Sequence, residues 1–282
     1  MEMFKVTEGT DGRKKLIVNS LYPEECCDFA LANDIRCLDL YPGYYTHTNL
    51  EPILSLNNFL EGLILNEKVD FSELRQFTNL KFLGALDNKK NILNLECFPA
   101  LETLACTITE RLKGLETCKN LKNLTFSYYN PKSKDITALP TLSSVRHLSI
   151  IKTSIATLQG IEKFSELGKL EIYGAPKLEK IAPLQNLSGC LEEVAFESCK
   201  KIGDYETLGK MQLLKKIMLT DSGEMKTLSF VKSLHDLKFI SFVGTNVLDG
   251  DINYCEGIKY VGFDNKRHYN HRMNDFNKGG TH

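Results

Sequence analysis

Apolar residues recur along this chain in one short pattern, a leucine-like residue followed three and five positions later by two more. Aligned copies start at Ile35, Leu60, Leu80, Leu101, Leu121, Val145, Leu167, Leu191, Leu214, Leu237 and Ile258, at intervals of 20 to 25 residues. Within each copy the first, fourth and sixth positions are apolar, as in Leu121-Leu124-Phe126 or Leu214-Ile217-Leu219. Positions four and six fall on one face of an extended segment, because successive side chains of a strand point to opposite sides. A second apolar series fills each interval: Ile136, Leu139 and Leu142; Ile155, Leu158, Ile161 and Phe164; Leu178, Ile181, Leu184 and Leu187. Its three-to-four spacing predicts a short helix or 3₁₀ turn. Each period therefore reads as a short parallel strand, a turn and a return segment. A period in this range predicts a solenoid, in which stacked units share one continuous core.

The Leu-x-x-Leu-x-Leu strand motif with its helical return resembles the leucine-rich repeat family. The match is to the short class of about 22 residues found in bacterial internalin-type and phosphatase-regulator-type repeats, and it covers about four fifths of the chain. The resemblance implies an α/β fold, a curved right-handed solenoid with its parallel sheet on the concave face and helical or 3₁₀ segments on the convex face. One column departs from the family. Position nine, where the family favours Asn or Cys, reads Gly43, Lys68, Asn88, Thr109, Tyr129, Thr153, Ala175, Cys199, Ser222, Thr245 and Lys266. Six of these can still hydrogen-bond locally, as a turn requires.

The expected organisation is one domain: a cap over 1–34, eleven repeats over 35–263, and a C-terminal cap and tail over 264–282. In the first cap, Lys14 to Val18 predicts a strand. Pro23 to about Ala32 predicts a helix, with Pro23 in its first turn and Glu24 and Glu25 near its positive end. At the other end, Tyr269 and Phe276 are expected to fold back over the last repeat, with Asn277 to His282 frayed and Gly279-Gly280 adding flexibility.

Composition narrows the function classes. Apolar residues make up 42% and charged residues 25%, as in packed domains. With 35 basic and 36 acidic side chains the net charge is −1, which gives no electrostatic argument for a nucleic-acid or membrane partner. Met1 to Ser20 is too polar for a secretory segment and no stretch approaches a membrane span. The nine cysteines include no Cys-x-x-Cys, and several sit on core columns (Cys106, Cys118, Cys255). These features together predict reduced thiols and a cytoplasmic location. His268 and His271, with Asp264 and Asp275 nearby, lack a third ligand at recognisable spacing, so a cap with solvated imidazoles is expected rather than a metal site. No phosphate-binding, nucleophile-elbow or metalloprotease motif is present, so neither an enzyme nor a cofactor is expected.

What remains is recognition. Positions two, three, five and seven of each unit are expected to point out of the core. Their apolar members predict one cluster of Ile64, Phe82 and Leu86 and another of Met218, Phe239, Val243 and Tyr260, separated by charges including Lys169, Glu171, Glu193, Glu197 and Lys216. His147 and Tyr173 lie in the same columns, and Tyr128 belongs with Tyr41, Tyr44, Tyr45 and Tyr129 to the longer loops that follow two strands. Ile64, Phe82, Leu86, Tyr128, His147, Lys169, Glu171, Tyr173, Glu193, Glu197, Lys216, Met218, Phe239 and Tyr260 are thus the expected partner-binding residues. The expected function is that of a protein-binding module, monomeric when free, that neutralises a protein partner such as a toxin domain. The alternatives are a regulatory subunit of an enzyme such as a phosphatase and a glycan receptor. Absence of Trp argues against the last.

Overall fold

The computed structural model describes residues 2–9, 12–86 and 90–276, which fall into two compact units, Met1–Ser127 and Tyr128–His282. Asn88 of the turn column and the expected frayed end, Asn277 to His282 with Gly279-Gly280, lie outside the described residues.

The first unit opens with a feature the sequence pattern did not predict. Strand β1 (Lys5–Glu8) pairs antiparallel with β2 (Lys14–Ile17), Lys5 opposite Ile17. Helix α1 (Pro23–Ala32) follows over the predicted span, with proline in its first turn and Glu24 and Glu25 beside its N-terminus. It buries Cys26, Cys27 and Ala30, and Phe4 stacks on its Phe29 at 4.3 Å. From β2 onward every pairing within this unit's sheet is parallel: β3 (Cys37–Asp39), β4 (Gly62–Ile64), β5 (Phe82–Ala85), β6 (Thr103–Thr107) and β7 (Asn123–Ser127).

The second unit carries β8 (His147–Ile151), β9 (Lys169–Tyr173), β10 (Glu193–Glu197), β11 (Lys216–Thr220), β12 (Phe239–Ser241) and β13 (Tyr260–Gly262), paired in parallel in that order. All the strands from β3 to β13 begin at position three of the repeat, so within each unit equivalent positions of neighbouring repeats stand side by side. This is the leucine-rich repeat architecture, with a parallel sheet on one face of each coil and 3₁₀ segments, such as Ile161–Lys163 and Ala182–Leu187, on the return. Positions four and six are buried throughout and position one is buried in every repeat but the last, where Ile258 is half-buried; the return-segment residues Ile136, Leu158, Phe164, Leu184 and Leu187 are buried too. No helix among the described residues is long and apolar enough to cross a membrane.

Two devices turn the chain after strands in the second unit and at its start. The first is a left-handed residue at position eight in successive repeats: Tyr128 (φ 57°), Lys152 (54°), Gly174 (69°), Ser198 (56°), Asp221 (47°) and Gly244 (72°). The second is a hydroxyl and thiol ladder at position nine in place of the family's asparagines. Thr153 Oγ1 donates to Tyr129 O at 2.6 Å, Ser222 Oγ to Phe196 O at 3.0 Å, and Thr245 Oγ1 to Leu219 O at 2.5 Å. Adjacent rungs interlock, since the Ser222 backbone N–H donates to Thr245 Oγ1 and the Cys199 N–H to Ser222 Oγ. These residues are buried, so the ladder satisfies backbone carbonyls that water does not reach. In the first unit an asparagine does similar work from position seven. Asn66 Nδ2 donates to Leu40 O at 2.8 Å while its Oδ1 accepts from the Lys68 N–H.

Beyond the last strand, Tyr269 and Phe276 pack on Phe263. Tyr269 is buried edge-on against Phe263 at 5.8 Å, and Phe276 of α2 (Met273–Phe276) meets the same ring at 6.1 Å. The Tyr269 hydroxyl accepts from the Val247 N–H, and Asn270 Oδ1 from the Ile252 N–H, which terminates the last turns. The two tail histidines turn to different partners. His268 Nε2 meets Val247 O at 2.9 Å and His271 Nε2 meets Asn253 Oδ1 at 2.7 Å.

Candidate binding face

Alternation along each strand sends positions four and six into the core and leaves three, five and seven on the opposite face. Parallel register then builds rows across strands. In the second unit, row three runs His147, Lys169, Glu193, Lys216, Phe239, Tyr260, and row five runs Ser149, Glu171, Ala195, Met218, Ser241, Gly262.

Glu171 is the centre of one end of this face. Its Oε2 lies 2.8 Å from His147 Nε2 and its Oε1 2.8 Å from Lys169 Nζ, and its side chain is only 16% exposed. An ionised carboxylate only accepts, so Nε2 carries the hydrogen. The hydrogen bond from His147, followed by that from Lys169, outweighs burial and holds the Glu171 carboxyl at about 2. Tyr173, two positions along, is pushed up to about 12 by burial and then by the Glu171 charge. The expected residues His147, Lys169, Glu171 and Tyr173 therefore form one connected polar cluster. Glu171 is a fixed member of that cluster rather than a free surface charge.

The other end is aromatic. Phe239 and Tyr260, neighbours in row three, stack at 4.4 Å with their planes 11° apart. The Lys216 ammonium sits 5.1 Å from the Phe239 centroid. Gly262 makes room for this arrangement, since a Cβ there would lie 3.0 Å from the Tyr260 ring. The cap leaves both rings half-buried and covers neither fully. Met218 is half-buried and Val243 is exposed. Glu193 stands between Lys169 and Lys216, and Glu197 is exposed on row seven.

In the first unit Ile64, Phe82 and Leu86 are half-buried. Ile64 leans over Gly84, its register partner, which leaves space for it. Phe82 is not a bare apolar anchor, because the Arg13 guanidinium lies 4.3 Å over its ring. Arg13 comes from the β1–β2 hairpin that the repeat pattern could not reveal. Arg13 also lines a cavity of about 400 Å³ with Lys14, Arg36, Glu61, Lys81 and Glu102 among others. Here position two, little used in the sequence reading, carries alternating charges: Arg36, Glu61, Lys81, Glu102, Lys122. Glu61 pairs with Lys81 at 3.1 Å and Glu102 with Lys122 at 2.8 Å.

Several positions expected to face outward are instead buried: Cys37, Asn66, Thr107, Ser127, Ser149 and Ser241. Cys37 is covered because its neighbour in row three is Gly62, where a Cβ would collide with its sulfur. The tyrosine loops divide likewise. Tyr45 and Tyr129 are buried, Tyr45 donating its hydroxyl to Asn49 O at 2.6 Å. Tyr41 is exposed, and Tyr128 is half-buried with Lys152 Nζ 5.4 Å from its ring.

Sequence comparison with protein-family profiles and with curated proteins returns no match. Structural comparison does. The chain is similar to an internalin (InlF) from Listeria monocytogenes at a TM-score of 0.58 and 19% identity, covering 76% of this chain and 62% of that one. It is similar to the functional domain of InlJ from the same organism at 0.54 and 17%, covering 81% and 47%. A third similar structure is TLR13 in complex with ssRNA13, at 0.53 and 18%, covering 83% and 40%. The chain thus spans about half to three fifths of the two internalin structures. At these identities the likeness establishes the leucine-rich repeat fold.

Proposed function

We propose that this chain is a non-enzymatic recognition module that binds a protein partner through the strand face of its second unit and neutralises it by occupancy. One observation carries the reading. A single sheet face offers a rigid polar cluster on Glu171 at one end and a stacked aromatic pair under Lys216 at the other. Aromatic anchors beside fixed charges are the side-chain chemistry of protein interfaces, in which rings supply contact area and charges supply specificity. The described residues are committed almost wholly to coil and caps, so blocking a partner is the action this architecture performs most directly. A toxin-neutralising inhibitor is the form of that action we favour, working on a soluble partner in the cytoplasm. The test is affinity capture with the purified chain, followed by assay of the captured protein's activity with and without the chain. Capture of a partner whose activity the chain suppresses supports the reading. A captured partner that keeps full activity moves the function to targeting or scaffolding, and the absence of any stoichiometric protein partner refutes it.

A further inference from the structure

Charge on row two behaves differently in the two units. In the first, cation and anion alternate from strand to strand and pair. In the second, the row ends in three consecutive lysines, Lys215, Lys238 and Lys259. Their backbones are aligned, as the Lys238 N–H donates to Lys215 O and the Tyr260 N–H to Lys238 O. Lys215 is neutralised by Glu192 at 2.8 Å. Lys238 and Lys259 are exposed, and among the described residues neither has a carboxylate within ion-pair distance. Asp236 and Glu256, on the turns leading into these strands, do not pair with them. Like charges on adjacent strands, roughly 4.8 Å apart, repel. Lys216 adds a further ammonium from row three, over Phe239. Lys216, Lys238 and Lys259 thus present three ammonium groups with no ion pair among the described residues, beside the Phe239–Tyr260 stack, although Glu256 and Asp275 line a hollow with Lys259.

We propose that the edge formed by Lys216, Lys238 and Lys259 with the Phe239–Tyr260 stack receives a carboxylate-rich segment of the protein partner. The inference rests on the reading of this face as a protein-binding surface and names the chemistry of what it binds. Discrete carboxylates fit better than a nucleic acid. A phosphate backbone is charged along its whole length, and Glu193 and Glu197 on the adjacent strand β10 and Asp264 just past β13 oppose it. A peptide places its carboxylates over the lysines and its neutral groups over the rings.

The probe is a fluorescent peptide of alternating glutamate and serine, with its glutamine counterpart and an oligothymidylate of matching charge as comparators, followed by anisotropy at low and high salt. The glutamate peptide should bind, weaken with salt, and lose about tenfold or more in affinity to Lys238→Glu/Lys259→Glu. The glutamine peptide should not bind, and Lys177→Glu/Lys180→Glu, on exposed loops elsewhere, should leave affinity unchanged. Lys238→Gln/Lys259→Gln gives a milder second variant should the reversal disturb folding. Equal binding by wild type and both edge variants overturns the proposal, and so does oligothymidylate binding as tightly as the peptide. The two readings fail separately. A captured protein partner held equally by the edge variants sinks this inference alone. Failure to capture any partner, with peptide binding intact, sinks the neutralising role alone.

Discussion

His147 Nε2 lies 2.8 Å from Glu171 Oε2, across adjacent strands and two positions along the second, and this contact ties row three to row five. It is the largest cause of the low Glu171 value, about 2 against an ordinary 4.5. A carboxyl held below its unfolded value stabilises the folded state above the unfolded pKa, and the contribution is lost as pH falls through the folded one. Glu171→Gln should therefore cost roughly 1–2 kcal/mol at neutral pH, after allowance for solvent screening. The gap from wild type should close between about pH 4.5 and 2. Denaturant unfolding at several pH values measures it, and a constant gap down to pH 2 would remove the carboxylate from the account.

Most of the fold was legible because the core pattern is dense and local. Positions one, four and six announce each strand, and α1 was marked by Pro23, Glu24 and Glu25. Three features were not legible, each for a physical reason. The strand β1 is half of a hairpin outside the repeat period, so Arg13 over Phe82 could not be anticipated. The left-handed turn at position eight is occupied by Tyr128, Lys152, Ser198 and Asp221 as well as by glycine, so composition hides a geometry that stacking enforces. Burial of outward positions such as Cys37 depends on what the neighbouring strand lacks, here the side chain of Gly62, and no single repeat records that. The expected charged and aromatic residues did come together in the second unit, since parallel register places equal positions side by side.

The position-eight geometry makes its own prediction. A non-glycine residue in the left-handed region costs about 1–2 kcal/mol, partly offset by the greater freedom of glycine in the unfolded chain. Lys152→Gly and Ser198→Gly should therefore be neutral to stabilising by up to about 1 kcal/mol. Gly244→Ala should destabilise, because its Cβ would run into the Asp221 carboxylate. Thermal unfolding of the three variants reads the sign, and destabilisation by both glycine substitutions would contradict the account.

Thr245 tests the hydroxyl ladder. Thr245→Val keeps the shape but removes the donor to Leu219 O and the acceptor for the Ser222 N–H, both buried. The expected loss is roughly 2–4 kcal/mol, from two backbone groups left unsatisfied. Amide exchange should quicken at Ser222 more than at Leu170, which lies two strands away on β9. A valine variant as stable as wild type would show that the ladder is incidental to the turn.

The binding face is tested by reversing charges that the structure leaves free of structural duty. Glu171 is unsuitable, because Glu171→Lys would break the contacts to His147 and Lys169 and confuse folding with recognition. Glu193 and Glu197 serve instead, one half-buried on row three and the other exposed on row seven of β10. Glu193→Lys/Glu197→Lys should shift stability by less than about 0.5 kcal/mol per site. If a partner docks on this face, its affinity should fall at least about tenfold, because like charges then meet across the interface. Met218→Ala with Tyr260→Ala probes the apolar side of the same surface. Loss of an aromatic anchor should appear chiefly as faster dissociation, with the association rate little changed. Both variants are compared with wild type by surface-based kinetics against the captured partner, alongside inhibition of that partner's activity. Wild-type kinetics in both variants would place recognition on the loops or the return segments, and the strand face would then be scaffold.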